Sequence, residues 1–204
     1  FLLMIAYQGY ELFLDMGLGK SKSVLDAFRY YQKRNEIKRM LIQVPNVVNI
    51  GAWKEQVQIH APSLRFEGLI GSPEERELQI ESTCDVVCGT YMGILNYFCD
   101  SVDRKEVKSG QGKTKWVIND KRVRDIGRLF DVLINDESTE IKNPNALPFK
   151  LVKKLRNYIP ICYGLAGRPM GRDPIDLWSQ FYAVDFGETL GETLGLFRGI
   201  FFKE

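Results

Sequence analysis

The sequence between residues 11 and 23 limits the possible folds more than any other part of the chain. The apolar run Leu12–Leu14 predicts a short strand, a glycine-containing turn closes with Gly19–Ser21, and the stretch Ser23–Gln32 predicts a helix. This order is typical of a site for a nucleoside triphosphate, because N–H groups at the turn and at the helix N-terminus point at phosphate oxygens. The segment therefore predicts a phosphate-binding turn.

The side chains of this turn have distinct expected roles. Lys20 is expected to reach the β- and γ-phosphates and to act in catalysis, and the Ser21 hydroxyl is expected to bind Mg²⁺. The full phosphate-loop pattern has glycine five residues before Gly19, where this chain has Leu14, so the pattern alone leaves a chance loop as an alternative. The residues expected to surround the nucleotide are Met16, Gly17, Leu18, Gly19, Lys20, Ser21 and Lys22.

Length and composition limit the class of protein. A chain of 204 residues is long enough for one sizeable core, and its 45% hydrophobic and 26% charged residues are typical of a globular domain. The net charge of +2 gives no overall field that would attract nucleic acid, so any such contact needs a local basic patch. No apolar run approaches the roughly 18 residues that a membrane span needs, so we expect no membrane partner.

Cysteine and histidine usage argues against a zinc centre. The four cysteines form no Cys-x-x-Cys pair, and the chain has one histidine. Reduced, buried thiols favour the cytoplasm of a prokaryote or of a virus-infected host, or the nucleus if the source is eukaryotic. The chain starts with Phe1 rather than methionine, so we expect it to begin inside a longer protein.

The rest of the chain alternates between strand and helix patterns. Further strands are predicted at residues 38–44, 64–70, 84–89, 131–135 and 159–165. Helices are predicted from Pro73 onward and at residues 46–60, 91–98, 120–130, 145–157 and 174–184. Strands that alternate with helices predict an α/β fold with a mostly parallel sheet and helices on both faces.

Residues 101–124 interrupt this alternation. The segment Gly110–Gly112 predicts a turn, Lys115–Ile118 predicts one arm of a hairpin, and Asp120 is expected to cap the helix that follows. This basic insertion could lie along the phosphates of a nucleic acid, although a solvated hairpin of mixed charge explains the pattern better. Its basic residues include Arg104, Lys105, Lys108, Lys113 and Lys115.

Two adjacent carboxylates, Asp136 and Glu137, follow an apolar strand. Ligands bind at the carboxyl edge of parallel α/β sheets. Asp136 is expected to hold Mg²⁺, and Glu137 is expected to act as the catalytic residue that polarises the attacking water. An Asp-Glu pair alone is usually a solvated loop, but together with a Gly-Lys-Ser turn on an earlier strand it favours nucleotide hydrolysis.

The order of these motifs resembles the first RecA-like lobe of Snf-type helicase-like ATPases, in helicase superfamily two. Residues 15–21 are similar to the family's phosphate-binding motif, which also lacks glycine at the position of Leu14. The likeness runs from about residue 11 to 186 and looks most like phage and bacterial members. Its other motifs are Gln43–Pro45 with Trp53 and Glu55, Cys88–Tyr91, Asp136–Pro144, Leu165–Pro169 and Asp176–Ser179.

The resemblance implies one RecA-like P-loop lobe over residues 1–204 that binds ATP and Mg²⁺ in a DNA-stimulated translocase or remodeller. It also implies a second RecA-like lobe, on the same or another chain, whose arginine finger completes the ATP site. The isolated lobe would then hydrolyse ATP slowly. The residues that would face the backbone of DNA, most simply a duplex, are Pro45, Thr90, Tyr91, Lys142 and Asn143.

The chain departs from the family pattern at Ala166 and Arg168, where the family has hydroxyl residues. Ala166 cannot donate a hydrogen bond, which would weaken coupling between hydrolysis and movement. Arg168 could contact phosphate, pair with Asp136 or Glu137, or lie in solvent. These departures motivate a second hypothesis, a degenerate, non-enzymatic nucleic-acid or protein interaction module. A small phosphotransferase is disfavoured because it does not explain residues 136–144.

Overall fold

The computed structural model describes residues 1–103, 114–168, 170 and 173–202, and it has the predicted alternation of strands and helices. The strands are β1 Gly9–Phe13, β2 Met40–Val44, β3 Phe66–Gly68, β4 Val86–Thr90, β5 Cys99–Asp103, β6 Thr114–Ile118, β7 Val132–Asp136 and β8 Ile161–Ala166. The helices are α1 Leu2–Ala6, α2 Lys20–Lys33, α3 Val47–His60, α4 Pro73–Ile80, α5 Tyr91–Phe98, α6 Asp120–Gly127, α7 Leu147–Leu155, α8 Asp176–Asp185 and α9 Leu194–Phe201. A 3-10 helix, Ser138–Ile141, follows β7.

Six of the strands form one parallel sheet in the order β1-β8-β7-β2-β4-β3. The central strands β2, β7 and β8 are mostly apolar and are buried over nearly their whole length, because helices cover both faces of the sheet. One apolar core, beneath α1, α2 and α3, includes Phe28 and Trp53, and the other, beneath α5, α7 and α8, includes Phe98 and Trp178. The predicted α/β fold with two covered faces is therefore confirmed.

The parallel register brings the carboxyl ends of several strands to one edge of the sheet. Asp136 at the end of β7 lies opposite Leu165 of β8, and Phe13 at the end of β1 lies opposite Ala166. The chain leaves β1 into the glycine turn and leaves β7 into the paired carboxylates. The two predicted parts of the nucleotide site therefore share an edge, with β8 between them.

Several predicted boundaries differ from those of the structure. Helix α2 begins at Lys20 rather than at Ser23, because Gly19 occupies the N-cap position. Asp120 was expected to cap α6, but the cap is Asn119, whose Oδ1 accepts a hydrogen bond from the Arg122 N–H at 2.9 Å. Asp120 is instead the first helical residue, where a negative charge favours the helix dipole.

Strands β5 and β6 form a separate antiparallel two-stranded sheet, which confirms the hairpin arm predicted before α6. Cys99 pairs with Ile118 at the base of this hairpin, and directly below them the Asn119 N–H donates to the Phe98 carbonyl at 2.8 Å. The basic residues Arg104, Lys105, Lys108 and Lys113 lie outside the described residues, so the predicted phosphate contact of this insertion stays a prediction.

Arg156, directly after α7, forms hydrogen bonds that join the end of α8 to the segment before β8. Its guanidinium donates to the carbonyl oxygens of Ala183 and Val184, both at 2.9 Å, where α8 is ending. It also donates to the carbonyls of Ile159, at 2.6 Å, and Pro160, at 2.7 Å, just before β8. Only 7% of Arg156 is exposed, so a buried cation whose partners are backbone carbonyls joins three elements.

None of the helices within the described ranges is long and apolar enough to cross a membrane.

Candidate nucleotide-binding site

The turn after β1 is shaped by two glycines in the left-handed region of backbone space. Gly17 has a φ of 80° and Gly19 a φ of 85°, conformations that glycine adopts without steric cost. A Cβ at either position would meet no heavy atom within 4 Å, so the requirement for glycine is conformational. Gly19 caps α2, whose first N–H groups lack acceptors within the helix and suit an anion such as phosphate.

Lys20 reaches back across this turn. Its Nζ donates to the carbonyl oxygen of Leu14 at 2.8 Å. Gly167, just after β8, lies beside this bond, because a Cβ built on it would be 3.9 Å from the Lys20 Nζ and 3.9 Å from the Leu14 oxygen. The ammonium group is thus held where β1 and β8 end. Because the acceptor is a neutral carbonyl, the Lys20 charge is not neutralised by this contact and can act on a phosphate group.

Asp136 is held at the end of β7 by two contacts. The Trp53 Nε1–H donates to Asp136 Oδ2 at 2.8 Å, and the Tyr91 hydroxyl donates to the Asp136 carbonyl oxygen at 3.0 Å. Burial raises the pKa of the Asp136 carboxyl, the Trp53 hydrogen bond opposes that rise, and the neighbouring Glu137 charge adds to it. The indole therefore fixes the orientation of the carboxylate and favours its charged form.

The Trp53 contact leads to a test of metal affinity. Replacing Trp53 with Phe removes the indole N–H and frees the carboxylate to rotate, so the Mg²⁺ concentration for half-maximal ATP binding is expected to rise about tenfold. Calorimetric titration of ATP at several Mg²⁺ concentrations measures this. Trp178→Phe is the matched control, because Trp178 is also buried and donates its indole N–H to the Gly191 carbonyl at 2.9 Å. Equal Mg²⁺ dependence in the two variants would contradict the role of Trp53.

Glu137 follows in a strained conformation. Its φ of 51° and ψ of 64° lie in the left-handed region, which costs a residue with a Cβ about 1 kcal/mol or more. The Glu137 carbonyl accepts the N–H of Glu140 at 2.9 Å and so starts the 3-10 helix. The neighbouring contacts of Asp136 and the burial of Ser138 keep this turn in place.

A cleft of about 510 Å³ joins these parts, within the size range of small-molecule sites. It is lined by the glycine turn, the start of α2, Asp136 and one face of α3. The sequence reasoning missed most of the α3 residues, although their spacing places them on one helical face and could have indicated it. These α3 residues are Asn49, Ala52, Trp53, Gln56 and His60.

The other predicted nucleotide residues are more exposed. Met16 and Leu18 lie at the surface of the turn, and Lys22 forms an ion pair with Asp26 at 2.5 Å one helical turn later. Arg168 is exposed in the bend after β8, and within the described part of the chain no ion pair joins it to Asp136 or Glu137.

The residues predicted to contact nucleic acid differ in their surroundings. Pro45 and Thr90 follow neighbouring strands at the carboxyl edge, but only 3% of Tyr91 is exposed. The Tyr91 hydroxyl donates to the Asp136 carbonyl, so its side chain contacts the strand end that carries the expected Mg²⁺ ligand, and its contact with nucleic acid stays a prediction. Lys142 pairs with Asp176 at 3.3 Å, and Asn143 Oδ1 accepts the N–H of Asn145 at 3.0 Å.

The parallel sheet, the glycine turn with Lys20 after β1 and the carboxylates after β7 define a RecA-like P-loop domain. A model of the SNF2-related domain matches residues 7–187, and the chain belongs to this family.

Relatives and solved structures agree with this assignment. The chain is 28% identical over 168 residues to the uncharacterized ATP-dependent helicase MG018 of Mycoplasma genitalium, covering 82% of this chain and 14% of that protein. It is 26% identical over 201 residues to putative protein p41 of Acyrthosiphon pisum secondary endosymbiont phage 1, covering 95% of this chain and 39% of that protein. The Sulfolobus solfataricus SWI2/SNF2 ATPase core in complex with dsDNA superposes with a TM-score of 0.69 at 25% identity, covering 97% of this chain and 35% of that one. The chain thus spans well under half of each of these proteins.

Proposed function

We propose that this chain is the ATP-binding and ATP-hydrolysing lobe of a DNA-stimulated, helicase-like translocase or remodeller. The observation that carries the proposal is that Lys20, after β1, and Asp136, at the end of β7, line one cleft, with Glu137 next in the chain after Asp136. Family membership adds support, since relatives of the chain are named ATP-dependent helicases.

The chemistry assigns a task to each side chain. Lys20 exchanges the Leu14 carbonyl for the β- and γ-phosphates, and the N–H groups of the turn bind the same oxygens. Glu137 orients a water molecule in line with the γ-phosphate and polarises it. Charge that builds up on the transferred phosphoryl group is then stabilised by donors already in place, which is the main source of catalysis in such reactions.

The Ser21 hydroxyl and the Asp136 carboxylate fit Mg²⁺, because both are hard oxygen ligands beside the phosphate turn. Within the described residues no cluster of three or more His, Cys, Asp or Glu could hold a metal by itself. That fits an ion that takes most of its ligands from phosphates and water. When bound, Mg²⁺ would neutralise charge on the β- and γ-phosphates.

The partners follow from the same proposal. A second RecA-like lobe, in cis or in trans, would supply an arginine finger, so this lobe alone would turn over ATP slowly. Duplex DNA would lie along the carboxyl edge near Pro45, Thr90 and Asn143, with Lys142 exchanging Asp176 for a DNA phosphate. The Sulfolobus core with dsDNA supports a duplex partner. A cytoplasmic setting is part of the proposal, since the four cysteines are free thiols.

A non-enzymatic interaction module is the second candidate function. It is favoured by Ala166, which is fully buried at the end of β8 and has no side-chain donor, and by Arg168 beyond it. A module of this kind would keep the fold without needing affinity for ATP.

Binding of ATP separates the two functions. In calorimetry with Mg²⁺, Lys20→Ala is expected to weaken ATP binding by about a hundredfold, because it removes a cation that forms charge-assisted bonds to phosphate. Lys33→Ala is the matched control, since Lys33 is exposed at the other end of α2 and does not line the cleft, and it is expected to change affinity less than about threefold. An unmodified chain with no Mg²⁺-dependent ATP affinity would favour the interaction module. Equal binding by both variants would remove Lys20 from the site.

A further inference from the structure

A buried polar cluster lies behind the nucleotide cleft. Glu11 of β1 is 8% exposed, while Ser138 of the 3-10 helix and Gln180 of α8 are fully buried. Ser138 Oγ lies 3.1 Å from Glu11 Oε2 and 2.9 Å from Gln180 Oε1. The cluster therefore links the strand that enters the phosphate turn, the residue after Glu137, and α8.

The fold makes room for the Glu11 carboxyl. Glu11 lies opposite Gly164 in the pairing of β1 with β8. A Cβ at position 164 would lie 1.9 Å from Glu11 Oε1 and 2.3 Å from Oε2, closer than any real contact. A glycine in the interior of a central strand usually weakens the strand. At position 164, the missing side chain leaves the space that the Glu11 carboxyl group occupies.

The number of hydrogen-bond donors in this cluster indicates the protonation state of Glu11. Gln180 Nε2 donates to the Asp176 carbonyl at 3.0 Å, which fixes Oε1 as the atom that faces Ser138. Ser138 Oγ therefore lies between two acceptor oxygens but has a single hydrogen to give. Both contacts are hydrogen bonds only if Glu11 is protonated and donates to Ser138, which then donates to Gln180.

The electrostatic surroundings favour the same state. Burial raises the pKa of Glu11 to about 8, and the charge of Asp185 at the end of α8 adds to the rise. A hydrogen bond donated by Ser138 to the carboxylate opposes the rise, but Ser138 can donate it only by giving up its bond to Gln180. Tyr91 of α5 and Cys162 of β8 also face this carboxyl, and its negative charge would raise the pKa of both groups. Burial and the geometry of the Ser138 contacts therefore both favour the neutral carboxylic acid at neutral pH.

Building on the proposed function, we propose that Glu11 is a positioning residue that, as a neutral acid, ties the turn of Glu137 to β1 and α8 through Ser138. Glu137 has a left-handed backbone, so its turn depends on contacts of this kind. When Glu11 ionises, it can only accept, and Ser138 then loses one of its two bonds. Alkaline pH is therefore expected to slow hydrolysis and to leave ATP binding, which depends on the phosphate turn, unchanged.

The test compares the full-length protein with its Glu11→Gln variant in DNA-stimulated phosphate release between pH 6 and about 9.5. Gln at position 11 can donate to Ser138 at every pH. The unmodified protein is expected to lose about tenfold in kcat above pH 8 at constant KM for ATP, while the variant keeps a flat profile. The same alkaline loss in both proteins would overturn the proposal.

A second pair of variants tests the Ser138 hydroxyl and does not depend on the charge of Glu11. Ser138→Ala removes the hydroxyl that joins Glu11 to Gln180, and kcat is expected to fall about tenfold at every pH with unchanged KM. Ser179→Ala is its control, because Ser179 is also fully buried but its hydroxyl has no hydrogen-bond partner among the described residues. Equal activity of the two serine variants would contradict the positioning role.

The pH dependence of thermal unfolding separates this proposal from the proposed function. Because folding raises the pKa of Glu11 from 4.5 to about 8, its contribution to stability is largest below pH 4.5 and is lost as pH rises to 8. The melting temperature of Glu11→Gln relative to the unmodified chain is expected to rise over this interval and then level off. If this shift appears without ATP hydrolysis, the neutral acid is established and the enzymatic function is wrong. If the shift is missing, the proposal for Glu11 is wrong even in an active ATPase.

Discussion

Replacing Glu137 with Gln is expected to lower the rate of ATP hydrolysis by about a thousandfold and to leave Mg²⁺-dependent ATP binding within about threefold of its original value. Glutamine has the shape of glutamate but cannot polarise the attacking water or accept its proton. The left-handed backbone at position 137 tolerates either residue equally, so the turn is preserved. Phosphate release with and without double-stranded DNA, together with calorimetry, measures both quantities.

Glu140→Gln provides the control for this experiment. Glu140 is exposed in the 3-10 helix that begins directly after Glu137, three residues further along the chain. The control is expected to hydrolyse ATP at the original rate. Full activity of Glu137→Gln would show that a different group orients the water. Loss of ATP binding in that variant would show that Glu137 shapes the site rather than the reaction.

Replacing Arg156 with Met is expected to lower the free energy of unfolding by about 3–5 kcal/mol. Methionine keeps much of the side-chain volume, but the carbonyls of Ala183, Val184, Ile159 and Pro160 all lose the donor that the guanidinium supplies. Each unsatisfied buried carbonyl costs about 1–3 kcal/mol, reduced where water can enter. Urea unfolding followed by circular dichroism measures the change.

Arg124→Met is the matched control for this variant. Arg124 is exposed on α6 and pairs with its neighbour Asp125 at 3.1 Å, so its removal is expected to change stability by less than about 0.5 kcal/mol. If Arg156→Met is no less stable than this control, the carbonyl contacts of Arg156 contribute little. If only the slope of the unfolding curve changes, the substitution acts on the unfolded chain rather than on these contacts.

The sequence was sufficient for those parts of the fold that depend on local pattern. Helix α5 has the predicted bounds, Tyr91–Phe98, because Thr90 provides a side-chain cap and apolar residues follow at helical spacing. The capping box of Ser72 and Glu75 likewise starts α4 at the predicted Pro73. The ends of β1 and β7 were predictable to within one residue, because an acidic residue, Asp15 or Asp136, interrupts each apolar run. The start of β1 at Gly9 lies three residues before the predicted start.

Features that depend on distant contacts left no local signal. Glu11 lies between Tyr10 and Leu12 in a pattern typical of an exposed strand position, yet α8 and Gly164 enclose it. Arg156 resembles a solvated residue at the end of a basic helix, yet the end of α8, at residues 183–184, helps to bury it. In both cases the cause is a packing partner far along the chain, which periodicity does not report.

The hairpin of β5 and β6 has a practical consequence. The base of the hairpin is anchored in the core through Cys99 and Ile118, and the backbone hydrogen bond of 2.8 Å from Asn119 to Phe98 closes it. Because these strands pair with each other rather than with the six-stranded sheet, length added between them costs only the slowly growing entropy of a longer loop. A reporter domain inserted between β5 and β6 is therefore expected to leave the six-stranded sheet, and with it the proposed ATP site, unchanged.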